Sequence, residues 1–102
     1  MSNPKILELN EYNTTQKIIE SVANVCSRAV LFSVLTQAKD AAQIASELKL
    51  SISNVYKTLT QLEDLTLIYV DKFVISPEGK KIKKFKSRMV KLKFVLEELN
   101  LF

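Results

Sequence analysis

Three features of this sequence predict a mainly α-helical domain with one small two-stranded β-hairpin. The 102-residue chain holds one Gly and two Pro, too few for a protein rich in tight turns. Its apolar residues recur at intervals of three and four over most of its length, the period of a helix with one buried face. Only Leu67–Ile75 breaks that period, with a β-branched and aromatic run. A hydrophobic fraction of 47% beside 25% charged residues suits a folded globule, and the length supports one domain with a modest core. We read 1-102 as that single domain in three parts. These are an N-terminal segment and helix (1-26), a central helical core with the hairpin (27-75), and a basic C-terminal helix (76-102).

The elements follow in order. Residues 2-12 are a polar lead-in with Ile6, Leu7 and Leu9 as its apolar cluster. Asn13-x-x-Gln16 has the spacing of a capping box and predicts a helix from Thr14 to about Val25. Its apolar stripe is Ile18, Ile19, Val22, Val25 and Cys26. Ser27, as a second N-cap, opens a helix Arg28–Gln37 with Val30, Leu31, Val34 and Leu35 inward. Asn24 and Ser27 mark a break, one continuous helix from Thr14 to Gln37 being the alternative. Asp40 and Gln43 form another capping box, before a helix Ala41–Leu48 with Ile44, Ala45 and Leu48 on one face. Lys49-Leu50 is a turn, from which Leu50 can point back to the core. The next helix starts at Ser51 or Ser53 and turns Val55, Leu59, Leu62 and Leu65 inward. Its opposite face carries Ser53, Asn54, Lys57, Thr60 and Gln61. Two short helices around a tight turn, the second with a polar face, make a helix-turn-helix.

Beyond it, Leu67–Val70 and Phe73–Ile75 read as the strands of a hairpin with Asp71-Lys72 as a two-residue turn and Lys72 at its tip. Ser76-Pro77-Glu78 has the chemistry of a helix start: a capping hydroxyl, Pro in the first turn, and an acid at the positive dipole end. The last helix then runs to about Leu99. Ile82, Phe85, Met89, Leu92, Leu96 and Leu99 step by three and four in strict alternation, a heptad stripe. We expect that stripe, with Ile18 and Val22 of the first helix, to form a homodimer interface; a plain intramolecular helix is the alternative. Lys86, Arg88 and Lys93 would flank the stripe and repel in a parallel pair, so an antiparallel or helix-exchanged arrangement is preferred.

The stretch IASELKLSISNVYKTLTQLEDLTLI resembles the winged helix-turn-helix regulators of the ArsR/MarR type, and the likeness extends loosely to Ile75. The resemblance implies a winged helix that binds double-stranded DNA. It departs from the usual pattern where Lys49 stands in for a turn Gly and Thr66 for the Gly before the first wing strand. A non-Gly residue in a left-handed backbone costs on the order of 1 kcal/mol, which a fold can absorb.

Charge agrees with a nucleic-acid partner. The net charge is +4, yet Gly79–Lys93 alone carries eight basic residues and no acid. Such a block is either a solvated face or a phosphate-binding surface. Within the helix-turn-helix, Ser51, Ser53, Asn54, Tyr56, Lys57 and Thr60 form the leading edge of the second helix. Asn can pair with adenine and Lys with guanine in the major groove. The serines suit capping or phosphate contact, which fixes register without reading bases. Asn54 could instead serve as a cap, and Tyr56 as a half-buried packing residue. Lys72, Lys80, Lys81 and Lys84 are the expected backbone contacts of the hairpin and the following helix.

Other classes are disfavoured. The chain has no His and a lone Cys26, so it offers neither a disulfide nor the usual zinc or iron ligand set. Cys26 reads as a small core residue, with a redox-sensing thiol as the alternative. No Gly-rich phosphate loop and no nucleophile–base pair point to an enzyme, and no cofactor is implied. No apolar run reaches the roughly 18 residues of a membrane span, and the N-terminal residues lack a secretory pattern, so we expect a cytoplasmic protein. The expected function is a sequence-specific, homodimeric transcriptional regulator. The alternatives are a protein-interaction module of the same fold and an architectural DNA-coating protein that uses the lysine-rich helix 80-93.

Overall fold

The computed structural model describes residues 6-88 and Glu97. Among these residues, four helices precede a two-stranded antiparallel sheet: α1 Ile6–Ala23, α2 Val25–Ser33, α3 Ala41–Leu48, α4 Ile52–Asp64, β1 Ile68–Ile75 and β2 Lys81–Ser87. This is the mainly α winged helix-turn-helix that the sequence predicts, with α3 and α4 as the helix pair and β1-β2 as the wing.

The central helices form where their caps dictate. Asp40 accepts from the Gln43 amide at 2.8 Å while Gln43 Oε1 accepts from the Asp40 amide at 3.0 Å, a complete capping box. Ser51 caps α4 by accepting from the Asn54 amide at 3.2 Å. The two non-Gly residues at suspect turn positions are left-handed, Lys49 at φ 56° and Thr66 at φ 59°. Val55, Leu59 and Leu62 of α4 are buried together with Val30 and Leu31 of α2, Val34 just beyond it and Ile44 of α3. Full burial of one such side chain is worth about 1.5–3 kcal/mol relative to exposure. The core therefore holds the face of α4 opposite Asn54 and Lys57.

Several boundaries differ from the sequence reading. Helix α1 runs through Asn13 and Gln16 without a cap, because no Pro or Gly lies between Ile6 and Ala23 to stop it. The expected break before the next helix is present, but Asn24 is its cap: the Asn24 side chain accepts from the Ser27 amide at 3.0 Å. Ser27 is buried inside the first turn instead. Helix α2 ends at Ser33, not Gln37. The chain then leaves the helix to meet the wing, where Ser87 N–H donates to Val34 C=O and Lys39 exchanges both backbone hydrogen bonds with Phe85.

The largest correction concerns residues 71-87. Asp71-Lys72 is not a turn; β1 continues through it to Ile75 and pairs with Lys81–Ser87. A two-residue hairpin favours a left-handed residue such as Gly or Asn at the turn, and neither Asp71 nor Lys72 has positive φ. The register shifts between Val70 and Lys72, so Asp71 is accommodated as a β-bulge. Ser76-Pro77-Glu78-Gly79 is the real turn. Gly79 N–H donates to Ser76 C=O at 2.9 Å, Lys80 N–H to Ser76 Oγ at 3.0 Å, and Ser76 N–H to Lys80 C=O at 2.8 Å, with Gly79 at φ 83°. A turn with Ser first, Pro second and a left-handed Gly fourth closes a three-residue hairpin loop. Hence 76-87 belongs to the wing and not to a C-terminal helix.

Candidate nucleic-acid interface

The outward face of α4 is polar and free of ion pairs among the described residues. Ser53, Asn54, Tyr56, Lys57 and Thr60 are all exposed, Tyr56 to 58%. Ser51 uses its hydroxyl as the helix cap, and its Oγ lies 3.4 Å from that of Ser53. Because Ser51 takes the capping role, the Asn54 carboxamide is spare; it makes no hydrogen bond among the described residues. Thr60 donates its hydroxyl proton to Tyr56 C=O at 3.0 Å, which leaves its oxygen able only to accept. Tyr56 is exposed rather than half-buried. Glu63 and Asp64 are exposed at the far end of α4, away from the Ser51–Lys57 edge.

The wing gathers the cations. Lys72 is exposed in the middle of β1, opposite Lys84, and not at the tip. Lys80 is exposed where the loop joins β2. Lys81 is exposed, with Nζ 4.1 Å from the centre of the Phe73 ring. Lys84 departs from its expected role. Its side chain is 16% exposed, and the ammonium sits 3.3 Å from Asp40 Oδ2 and donates to Gln43 Oε1, which ties β2 to the start of α3. A lysine held in that pair is a strut of the fold, so we withdraw it from the phosphate contacts.

Three further cations, absent from the expected contacts, lie in the same region. Lys83 is exposed opposite Phe73, Lys86 lies opposite Tyr69, and the Arg88 guanidinium stacks 5.1 Å from the Tyr69 ring. Their signal in the sequence was the alternation Lys81-Ile82-Lys83 after the chain's single Gly, a strand period masked by the heptad count.

The expected dimer stripe is also redistributed. Ile18, Val22 and Phe85 are buried in the protomer's own core, and Ile82 lies on a strand, half-buried. They are occupied within one chain or point from the wrong element to form a helical seam. Met89, Leu92, Leu96 and Leu99 lie outside the described residues.

The remaining features are modest. Cys26 is half-buried with its sulfur 3.9 Å from Thr58 Oγ1, across the α2–α4 contact. An open depression between α1 and the end of α4 is lined by polar groups including Lys17, Glu20, Asn24 and Gln61. Among the described residues no three His, Cys, Asp or Glu side chains converge, and no helix is long and apolar enough to cross a membrane.

No protein-family model and no curated protein matches the sequence. Solved structures match its fold. NolR from Sinorhizobium fredii is 16% identical, over 99% of this chain and 98% of its own, with a TM-score of 0.66. An ArsR-like transcriptional regulator from Rhodococcus is 17% identical over 89% of this chain and 83% of its own, with a TM-score of 0.66. The homodimeric winged helix-turn-helix DNA-binding domain of Mb0332 from Mycobacterium bovis, a possible ArsR-family regulator, is 12% identical. It covers 99% of this chain and 94% of its own, with a TM-score of 0.67. At these identities the likeness establishes the winged helix-turn-helix fold, in agreement with the resemblance in Ile44–Ile68.

Proposed function

We propose that this protein is a sequence-specific, double-stranded-DNA-binding transcriptional regulator that acts in the cytoplasm as a homodimer. The observation that carries this reading is the division of labour on α4. One face is locked into the core by Val55, Leu59 and Leu62, while the other presents Asn54, Tyr56 and Lys57 to solvent with the Asn54 carboxamide uncommitted. A helix held from behind, with base-reading side chains at its N-terminal end, suits entry into the major groove. Lys72, Lys80, Lys81 and Lys83 of the wing then supply sequence-independent attraction to the phosphates.

Two copies would address half-sites about one helical turn apart, roughly 34 Å. We place the dimer contact in the C-terminal stripe Met89, Leu92, Leu96 and Leu99, since Ile18, Val22 and Phe85 serve the protomer core. The test is Asn54→Ala combined with Lys57→Ala. Both side chains are exposed, so the variant should fold normally, keep binding to mixed duplex and lose preference for a site. Undiminished preference would remove α4 from the groove.

A second reading has its own support. The exposed face of α4 carries only Lys57 as a cation, whereas the wing is densely basic. That balance favours an architectural protein that coats DNA without reading bases. It predicts strong, salt-sensitive retention of every duplex alike.

A further inference from the structure

We propose that the outer half of the wing is a wedge for DNA: Phe73 and Ile75 enter a base step from the minor groove while Lys81 and Lys83 hold the flanking phosphates, so that binding bends the duplex. This rests on the DNA-binding reading above and adds to it a mode of engagement.

The placement follows from the bulge. In the inner half of the hairpin, Ile68, Val70, Phe85 and Ser87 share the face that packs on the helices, as pairs Ile68–Ser87 and Val70–Phe85. Strict alternation would next bring Lys72 and Val74 to that face. The extra residue at Asp71 reverses the order, and the pairs Phe73–Lys83 and Ile75–Lys81 occupy it instead. Beyond the helices nothing among the described residues covers them: Phe73 is 48% and Ile75 68% exposed. One strand of that face is thus apolar and the other cationic. The Lys81 ammonium over the Phe73 ring holds the ring in place and brings positive charge beside it.

Single exposed apolar residues are ordinary on any surface. Two neighbours on one face of the outer half of a hairpin, with lysines directly across, are a more specific arrangement. Two side chains are too little area for a stable protein contact, which buries about 1,200–2,000 Å² in total. They are the size of the apolar wedges that unstack one base step, and the charge beside them complements a polyanion. Glu78 is the one acid of the loop and lies on the far side of Pro77 from Ile75.

The experiment uses the full chain and a mixed-sequence duplex of about 30 base pairs with a fluorophore at each end. Binding is followed by anisotropy and bending by energy transfer between the ends. The wild-type protein should bind and raise the transfer. Phe73→Ser with Ile75→Ser, both at exposed positions, should abolish the rise, weaken binding by about tenfold, and leave the salt dependence intact. Lys81→Gln with Lys83→Gln should instead lower the slope of log affinity against log salt by about two. Binding without bending, or equal bending by the serine variant, overturns the wedge and spares the regulator reading. If the serine variant changes the oligomeric state by light scattering and not the bend, a second copy covers this face and the wedge is wrong. Absence of duplex binding by the wild type at low salt overturns both.

Discussion

Replacement of Lys84 by Met tests whether this lysine is a strut or a DNA contact. Its ammonium lies 3.3 Å from Asp40 Oδ2 and also donates to Gln43 Oε1, and both side chains of the ion pair are 16% exposed. Exposed pairs are worth about 0.2–1 kcal/mol. Breaking a fully buried one costs about 3–5 kcal/mol. A pair shielded to this degree falls between, so we expect a loss of about 2 kcal/mol. The α3 cap itself should survive, because Lys84 only shares the Gln43 Oε1 acceptor, and both reciprocal bonds between Asp40 and Gln43 can form without it. Met preserves most of the hydrocarbon stem, which limits the change to the charge. For a domain of this size the loss corresponds to a fall in Tm of roughly 10 °C, read by circular dichroism. Asp40→Asn removes the opposite charge but keeps a good capping side chain. A double-mutant cycle between the two should show a coupling of about 1 kcal/mol. The reasoning is refuted if Lys84→Met leaves Tm unchanged while lowering the salt slope of DNA binding by about one, the signature of a phosphate contact.

Other substitutions probe the scaffold. Leu62, fully buried on the inner face of α4, should cost about 2–5 kcal/mol as Leu62→Ala, measured by urea unfolding. Thr66→Gly should stabilise by about 1 kcal/mol, since a β-branched residue at φ 59° is strained, and a thermal melt would show the gain. Gly79→Ala should have the opposite sign and similar size: nothing lies within 4 Å of an added Cβ, so the whole cost comes from φ 83°.

The helical core was legible in the sequence because capping and periodicity agree there. Asp40 with Gln43, Ser51, and the 4-3-3 spacing of Val55, Leu59, Leu62 and Leu65 all point to the same helices, and the structure has them. The wing is less legible because its signals are shared between structures. Ser followed by Pro opens a helix or a turn equally well, and Gly79 three residues later decides for the turn. The heptad stripe begins on Ile82 and Phe85, which lie on opposite faces of β2, because so short an apolar run fits both periods. A place in a basic block marks Lys84 for phosphate, whereas its ion pair with Asp40 spans 44 positions and leaves no local trace. For Asn54 the helical spacing points to the polar face of α4, and there it is exposed, with Ser51 as the cap.

The central claim, a regulator that reads DNA with α4, is tested most directly by sequencing random duplex DNA retained by the purified protein at about 0.15 M salt. A dimer reading DNA through α4 should enrich an inverted repeat with half-sites about one helical turn apart. Retention without enrichment would contradict it in favour of a coating protein, and negligible retention would contradict DNA binding itself.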